Sequence, residues 1–256
     1  MKHLRAALCH FCIGLATSLA QAADAEQTTE SAPQQQFTIG WEQLQNSNGY
    51  ADKYERYAHE VFDLFAQRNG YAFHYVQLPI NRLFSAFVID QSLDFKYPDN
   101  PEWKKELRSK RSFSYSAPLA TRLAGAMVLP QHQGRPLAAI RTLGTILGFT
   151  PVGYTEAIDK KALSVVRSNG YVSLLGHAMA NHVDAAYINV ETAKDVLKDR
   201  MRAPGALVFD PGLPHQYVEL SLSTLRHPEL ITRFNLFLLE ERPSLAKLRQ
   251  KYHIEE

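Results

Sequence analysis

Cysteine is nearly absent from this chain of 256 residues. Its two cysteines, Cys9 and Cys12, both fall in a segment that reads as an export address. Lys2 and Arg5 make a basic start, Ala6 to Ala20 is a short apolar run, and Ala20-Gln21-Ala22 has the small-x-small form of a cleavage site. With that segment removed no cysteine remains, so neither a redox pair nor a cysteine metal site survives. Long hydrophobic runs are also missing: the apolar stretch is too short to span a bilayer comfortably, and a polar segment follows it at once. The expected product is an exported, periplasmic, soluble chain that begins near Ala23.

Excess charge is lacking as well. The whole chain has 28 basic and 26 acidic residues, and loss of Lys2 and Arg5 leaves 26 against 26. A neutral chain does not suit nucleic acid, whose phosphates call for surplus Lys and Arg. Signatures of catalysis are scarce too. There is no G-x-S-x-G elbow or Walker loop, and no recognisable carboxylate pair. His177 and His182 are five apart, which does not put two metal ligands on one helix face. Neither a metal nor a cofactor is expected.

What remains is an α/β pattern. Residues 23–36 read as a flexible polar leader. Phe37 to Trp41 suggests a buried strand, and Tyr54, Ala58, Val61, Phe62 and Phe65 recur at helical spacing up to Gly70, placed to cap the helix in a left-handed conformation. Tyr71, Phe73 and Tyr75 alternate as a strand does, giving a β-α-β unit with parallel strands. Pro79 opens a second helix, Leu93 to Tyr97 is a further strand, Pro98 to Pro101 a loop, and Trp103 to Lys110 a short helix.

Arg111 to Leu129 runs from basic and polar residues into an apolar strand, and after Pro130 an α/β pattern starts again. Strands are expected within Ile140 to Leu147, Ala162 to Val166, Val183 to Tyr187 and Ala206 to Phe209. Helices are expected at Gly153 to Lys160, Tyr171 to Asn181 and Val190 to Met201. After Gly212 the reading is mostly helical: Gln216 to Thr224, Pro228 to Glu240 and Ser244 to Tyr252.

Four short motifs in this order resemble the bacterial periplasmic solute-binding proteins of the family 3 type. YSAPL (Tyr115 to Leu119) is similar to that family's Phe-Ser-x-Pro-Tyr, and LGTILGF (Leu143 to Phe149) to its glycine-threonine loop. NHVDAAYIN (Asn181 to Asn189) and HPELITRFNLFL (His227 to Leu238) match its Asp-Ala-Ala segment and its closing helix. The resemblance implies a divergent member with a two-lobed α/β architecture, the type 2 periplasmic-binding-protein fold with two crossover strands. Lobe one would be 37–124 plus 211–256, and lobe two 125–210. It also implies a small-molecule ligand held between lobes that close by a hinge, a monomer, and delivery to an ABC permease or a membrane sensor.

Two positions depart from that family's pattern. Its arginine clamp for an α-carboxylate falls at Ser109, between Arg108 and Lys110, and its aspartate for an α-ammonium falls at Asn189. A small polar or anionic ligand other than a standard α-amino acid is therefore expected, with Arg82 as a candidate anion contact. Trp41 and Tyr50 are either an aromatic wall or, for Trp41, core. Tyr97, Tyr115, Ser116, Thr145, Gly148, Phe149, Tyr187 and Asn189 are further candidates for the cleft, whereas Asp184 suits a structural cap. Arg122 either reaches the ligand or caps a hinge carbonyl. The expected role is a non-enzymatic solute receptor; a sensory or regulatory module on the same fold, or an exported enzyme, are the alternatives.

Overall fold

The computed structural model describes residues 34–43 and 53–254. The export segment, most of the leader and Tyr50 lie outside the described residues. The chain opens with β1 (Gln35–Glu42), α1 (Lys53–Asn69) and β2 (Tyr71–Leu78). In α1 the residues Tyr57, Ala58, Val61, Phe62 and Phe65 form one buried stripe, so the helix packs by a single face. Gly70 ends it at φ +68°, a conformation that glycine adopts without a Cβ clash, and β1 and β2 then pair in parallel as the β-α-β order requires.

Helix α2 (Ile80–Phe84) passes into a π-helical turn, Ser85–Ile89, and β3 (Phe95–Asp99) follows. Pro98 and Asp99, expected in a loop, complete that strand. Short segments α3 (Lys105–Arg108) and β4 (Ser114–Tyr115) lead into β5 (Ala120–Val128). The next group comprises β6 (Thr142–Ile146), α4 (Thr155–Asp159), β7 (Ser164–Ser168), α5 (Tyr171–Met179) and β8 (Ala185–Asn189). Then come α6 (Val190–Asp195) with a π-helical turn after it, β9 (Val208–Phe209), β10 (Gln216–Thr224), α7 (Pro228–Glu240) and α8 (Arg242–Lys251).

The helix expected at Gln216 to Thr224 is a strand, β10. Val218, Leu220 and Leu222 are buried while Tyr217 is 74% exposed and Glu219 also faces solvent, a period of two rather than 3.6. Ser221 and Ser223 are buried too, because both faces are covered there, and this blurs the alternation in the second half of the strand.

This strand holds the molecule together. The main strand order is β2-β1-β3-β10-β5-β8-β6-β7. Parallel triplets lie at both ends: β1 pairs with β2 and β3, and β6 with β7 and β8. Between them β10 and β5 run antiparallel. Strand β10 divides its length, with Gln216 to Leu220 on β5 and Ser221 to Thr224 on β3, across an irregularity at Ser221 and Ser223. Two lobes result, each built on one triplet, joined by two crossing strands.

Three apolar clusters fill the structure. One lies within the first lobe around Tyr57, Phe62 and Phe234, and one within the second around Leu143, Tyr154 and Tyr187. The remaining cluster combines Ile80, Leu83 and Phe87 of the first lobe with Ile146, Leu174 and Ile188 of the second, so the lobes also touch beyond the crossing strands.

Candidate functional site

A cleft with a cavity volume of ≈ 120 Å³ lies between the lobes. That is smaller than the roughly 300–1,000 Å³ common for small-molecule sites, so this arrangement of the lobes leaves room for a small ligand only. Its floor is formed by the crossing strands, Arg122 and Ala124 of β5 with Val218 and Leu220 of β10. The first lobe supplies Ile80 and Phe84 of α2, Pro98 and Trp103, and Glu42 at the end of β1. The second supplies Gly148, Phe149 and Thr150 after β6, Tyr171 at the start of α5, and the end of β8 from Tyr187 to Asn189. These second-lobe residues follow the carboxyl ends of parallel strands or open a helix, where open α/β sheets place ligands.

The two lobes meet closely at Gly148. Its φ is +98°, and a Cβ there would fall 2.8 Å from Ile80 Cβ and 3.1 Å from Asn81 Oδ1. Only glycine permits both the turn and the approach.

Arg122 is fixed from both sides. Its Nη2 donates to Asn189 Oδ1 at 2.8 Å and to Thr192 Oγ1 at 2.7 Å, while its guanidinium lies 4.1 Å from the Tyr54 ring centroid. Asn189 caps α6 by accepting from Thr192 N at 3.0 Å, and its Nδ2 donates to Leu123 O. Tyr54 Oη donates to Glu191 Oε2 at 2.6 Å, and Lys53 pairs with Glu191, which ties α1 to α6. Burial works to raise the Glu191 carboxyl, but Lys53 and Tyr54 outweigh it and hold the group below its ordinary value.

Of the candidates read from the sequence, Arg122, Gly148, Phe149, Tyr187 and Asn189 line this cleft. Burial pushes the Tyr187 hydroxyl up to about 12. Trp41 and Tyr97 are each 2% exposed and belong to the first-lobe core, with Trp41 stacked on His59 at 4.1 Å. They reach only a side cavity that shares Glu42, Pro98, Arg122, Tyr171 and Leu220 with the cleft.

Others lie away from it. Arg82 is on the exposed face of α2 and lines neither cavity, so the expected anion contact is turned outward. Thr145 is buried inside β6. Ser116 is occupied by strand pairing: its Oγ accepts from Leu222 N at 2.9 Å and donates to Ala117 O at 2.7 Å. Asp184 takes the structural role expected of it, accepting from Arg141 N and Thr142 N.

Tyr115 accepts from Arg108 Nη1 at 2.7 Å, and burial, with the nearby Asp99 charge, pushes its hydroxyl up to about 12. Arg108 itself is buried in a fork on Asp99, Nη2 to Oδ1 at 2.5 Å and Nη1 to Oδ2 at 3.1 Å. Lys96 Nζ donates to the same Oδ1 at 3.1 Å, and Ser223 Oγ donates to Oδ2 at 2.6 Å. Burial alone would raise the Asp99 carboxyl; Lys96 and Arg108 hold it below its ordinary value. Arg108 is thus committed within the first lobe and does not stand in for the arginine absent at Ser109.

Sequence reading missed Glu42, Phe84, Trp103, Tyr171 and the β10 floor. Tyr171 follows Ser-Asn-Gly at a helix start, a signal that could have placed it beside the strand end; Trp103 carries no such mark. Among the described residues no group of three or more His, Cys, Asp or Glu could hold a metal ion.

No family model matches the chain, and no curated protein matches it. Solved structures do. An ArgBP mutant from T. maritima has a TM-score of 0.63 at 15% identity, over 85% of this chain and 95% of that one. The GluR0 ligand-binding core from Nostoc punctiforme, in complex with L-glutamate, has 0.63 at 13% identity, over 84% and 98%. An arginine third transport system periplasmic binding protein from Legionella pneumophila has 0.59 at 16% identity, over 85% and 99%. The fold is that of the two-lobed periplasmic binding proteins. In this periplasmic-binding-protein fold the two crossing strands are β5 and β10, and the cleft described above lies over them. No described helix is long and apolar enough to cross a membrane.

Proposed function

We propose that this chain is an exported, non-enzymatic solute receptor that captures a small polar or anionic ligand between its lobes and delivers it to an ABC-type importer. The observation that carries this reading is a single cleft whose lining comes from both lobes and whose floor is the pair of strands joining them. A ligand there contacts both lobes at once and so favours their closed arrangement, which is how a small molecule can change the shape that a membrane partner recognises. The likeness to the T. maritima ArgBP and the L. pneumophila periplasmic binding protein supports the same role.

In this reading lobe one comprises 37–124 and 211–256, and lobe two 125–210. Arg122 anchors the polar or anionic group of the ligand, Asn189 orients Arg122, and Phe84, Trp103, Phe149 and Tyr187 form the walls. The signal-like start of the sequence supports a periplasmic location.

A thermal-shift screen of the purified chain with amino acids, organic acids, polyamines and sugars tests the proposal. A ligand at about a hundred times its dissociation constant stabilises by about 2.7 kcal/mol. Failure of every class to stabilise, or chemical turnover of a compound that does, would overturn it.

A further inference from the structure

The charged lining of the cleft is balanced, with one acid, Glu42, and one base, Arg122. The layer behind the first-lobe wall is not. Lys96, Asp99 and Arg108 are 0%, 0% and 8% exposed, so two cations share one carboxylate inside the protein. Every other group bonded to the cluster is neutral. Pro98 O accepts from Lys96 Nζ at 2.5 Å, Trp103 O from Arg108 Nε at 2.6 Å, and Tyr115 Oη from Arg108 Nη1 at 2.7 Å, while the Ser223 hydroxyl donates to Asp99. Both Asp99 oxygens are fully used, and one positive charge is left over.

That surplus lies against the rings that face the ligand space. Lys96 Nζ is 4.4 Å from the Phe84 centroid and 5.4 Å from that of Trp103, and the Arg108 guanidinium is 5.4 Å from Phe84. Phe84 and Trp103 both line the cleft, whereas Lys96 and Arg108 do not. A ring satisfies a cation only in part, and its apolar thickness excludes the water that would otherwise screen the charge.

We infer that the buried Lys96–Asp99–Arg108 cluster makes the cleft selective for anionic ligands, with Lys96 as the surplus charge acting through the Phe84 and Trp103 wall rather than by contact. This deepens the proposed solute-receptor reading and rests on it. A ligand carboxylate or phosphate meeting the electropositive edge of Phe84 or Trp103 from the cleft would lie about 8 Å from the ammonium. With an effective dielectric of about 20 to 40, that separation corresponds to a preference of about five- to thirtyfold over a neutral isostere. Lys96 is a specificity-determining residue on this view, and the aromatic wall transmits its field.

The test uses pairs of near-isosteric compounds that differ by one charge, glutamate with glutamine and propionate with propionamide, titrated calorimetrically into the full chain and into Lys96→Met. The wild type should prefer the more anionic member of each pair. Lys96→Met, whose thioether fits between the same rings, should lose that preference about five- to thirtyfold while keeping its affinity for the neutral member. A retained preference in Lys96→Met, or a wild type indifferent to charge, overturns the inference and leaves the receptor reading standing. If neither pair binds, the inference falls for these ligands, and the wider thermal-shift screen decides separately whether the chain is a receptor. Should Lys96→Met not fold, the wild type still decides: a preference set by a buried charge persists between low and high salt, and its collapse with salt would assign it to surface groups and overturn the inference.

Discussion

Arg108 holds Asp99 through two nitrogens, Nη2 on Oδ1 at 2.5 Å and Nη1 on Oδ2 at 3.1 Å, and neither side chain reaches the ligand space. The pair joins α3 to the end of β3, and through Ser223 to β10. Asp99→Asn leaves two buried cations without a counter-ion and should destabilise the fold by about 3–5 kcal/mol, read by urea unfolding. A loss under about 1 kcal/mol would mean that the cluster relaxes into water.

The same carboxylate sets an acid limit. The folded-state values of Asp94, Asp99 and Asp184 are all held below the ordinary one, against burial in each case. Thr38, His227 and Arg226 act on Asp94, Lys96 and Arg108 on Asp99, and Thr142 and Arg141 on Asp184. A depressed folded value gives stability that is fully present above the unfolded carboxylate value, about 3.9, and is lost as pH falls through the folded values. Unfolding free energy should therefore decline steadily as pH falls below about 4, with a shallower decline in Asp94→Asn.

Gly148→Ala should weaken closure. A side chain there would have to adopt φ +98° and meet Ile80 Cβ at 2.8 Å. The backbone cost is about 1–2 kcal/mol, and the clash falls only where the lobes touch. Ligand affinity should drop about tenfold or more, and small-angle scattering should show a more open molecule.

Ser116→Ala separates a structural serine from a ligand contact. Its Oγ serves Leu222 N and Ala117 O, so the variant should lose about 1–3 kcal/mol of stability and leave ligand affinity unchanged. Arg122→Gln should lower affinity about tenfold or more in titration of any compound found by the screen, beyond the stability it loses with its bonds to Asn189 and Thr192.

The parallel β-α-β units were legible because their apolar residues keep one period for many positions, as Tyr57 to Phe65 do in α1. Cleft residues at strand ends were legible where a glycine or a helix start marks the spot, as at Gly148 and Asn189. Strand β10 was not, since Ser221 and Ser223 are buried beside Leu220 and Leu222 and its two halves answer to different sheets. Arg82 and Arg108 show a further limit: a sequence displays a cation but not its direction. One faces solvent from α2, and the other is consumed by an aspartate nine residues away whose role only the fold creates.

The placement of β10 also fixes when the molecule can be finished. The β3 and β5 edges that it covers are made from residues 95 to 128, yet the strand between them arrives only at Gln216 to Thr224. Until then the first lobe has an open sheet edge in the middle of the structure, and completion depends on pairing across about 120 residues of intervening chain. Such pairing makes closure of the central sheet the most long-range step in the chain, whereas the β6, β7 and β8 triplet needs only residues 142 to 189.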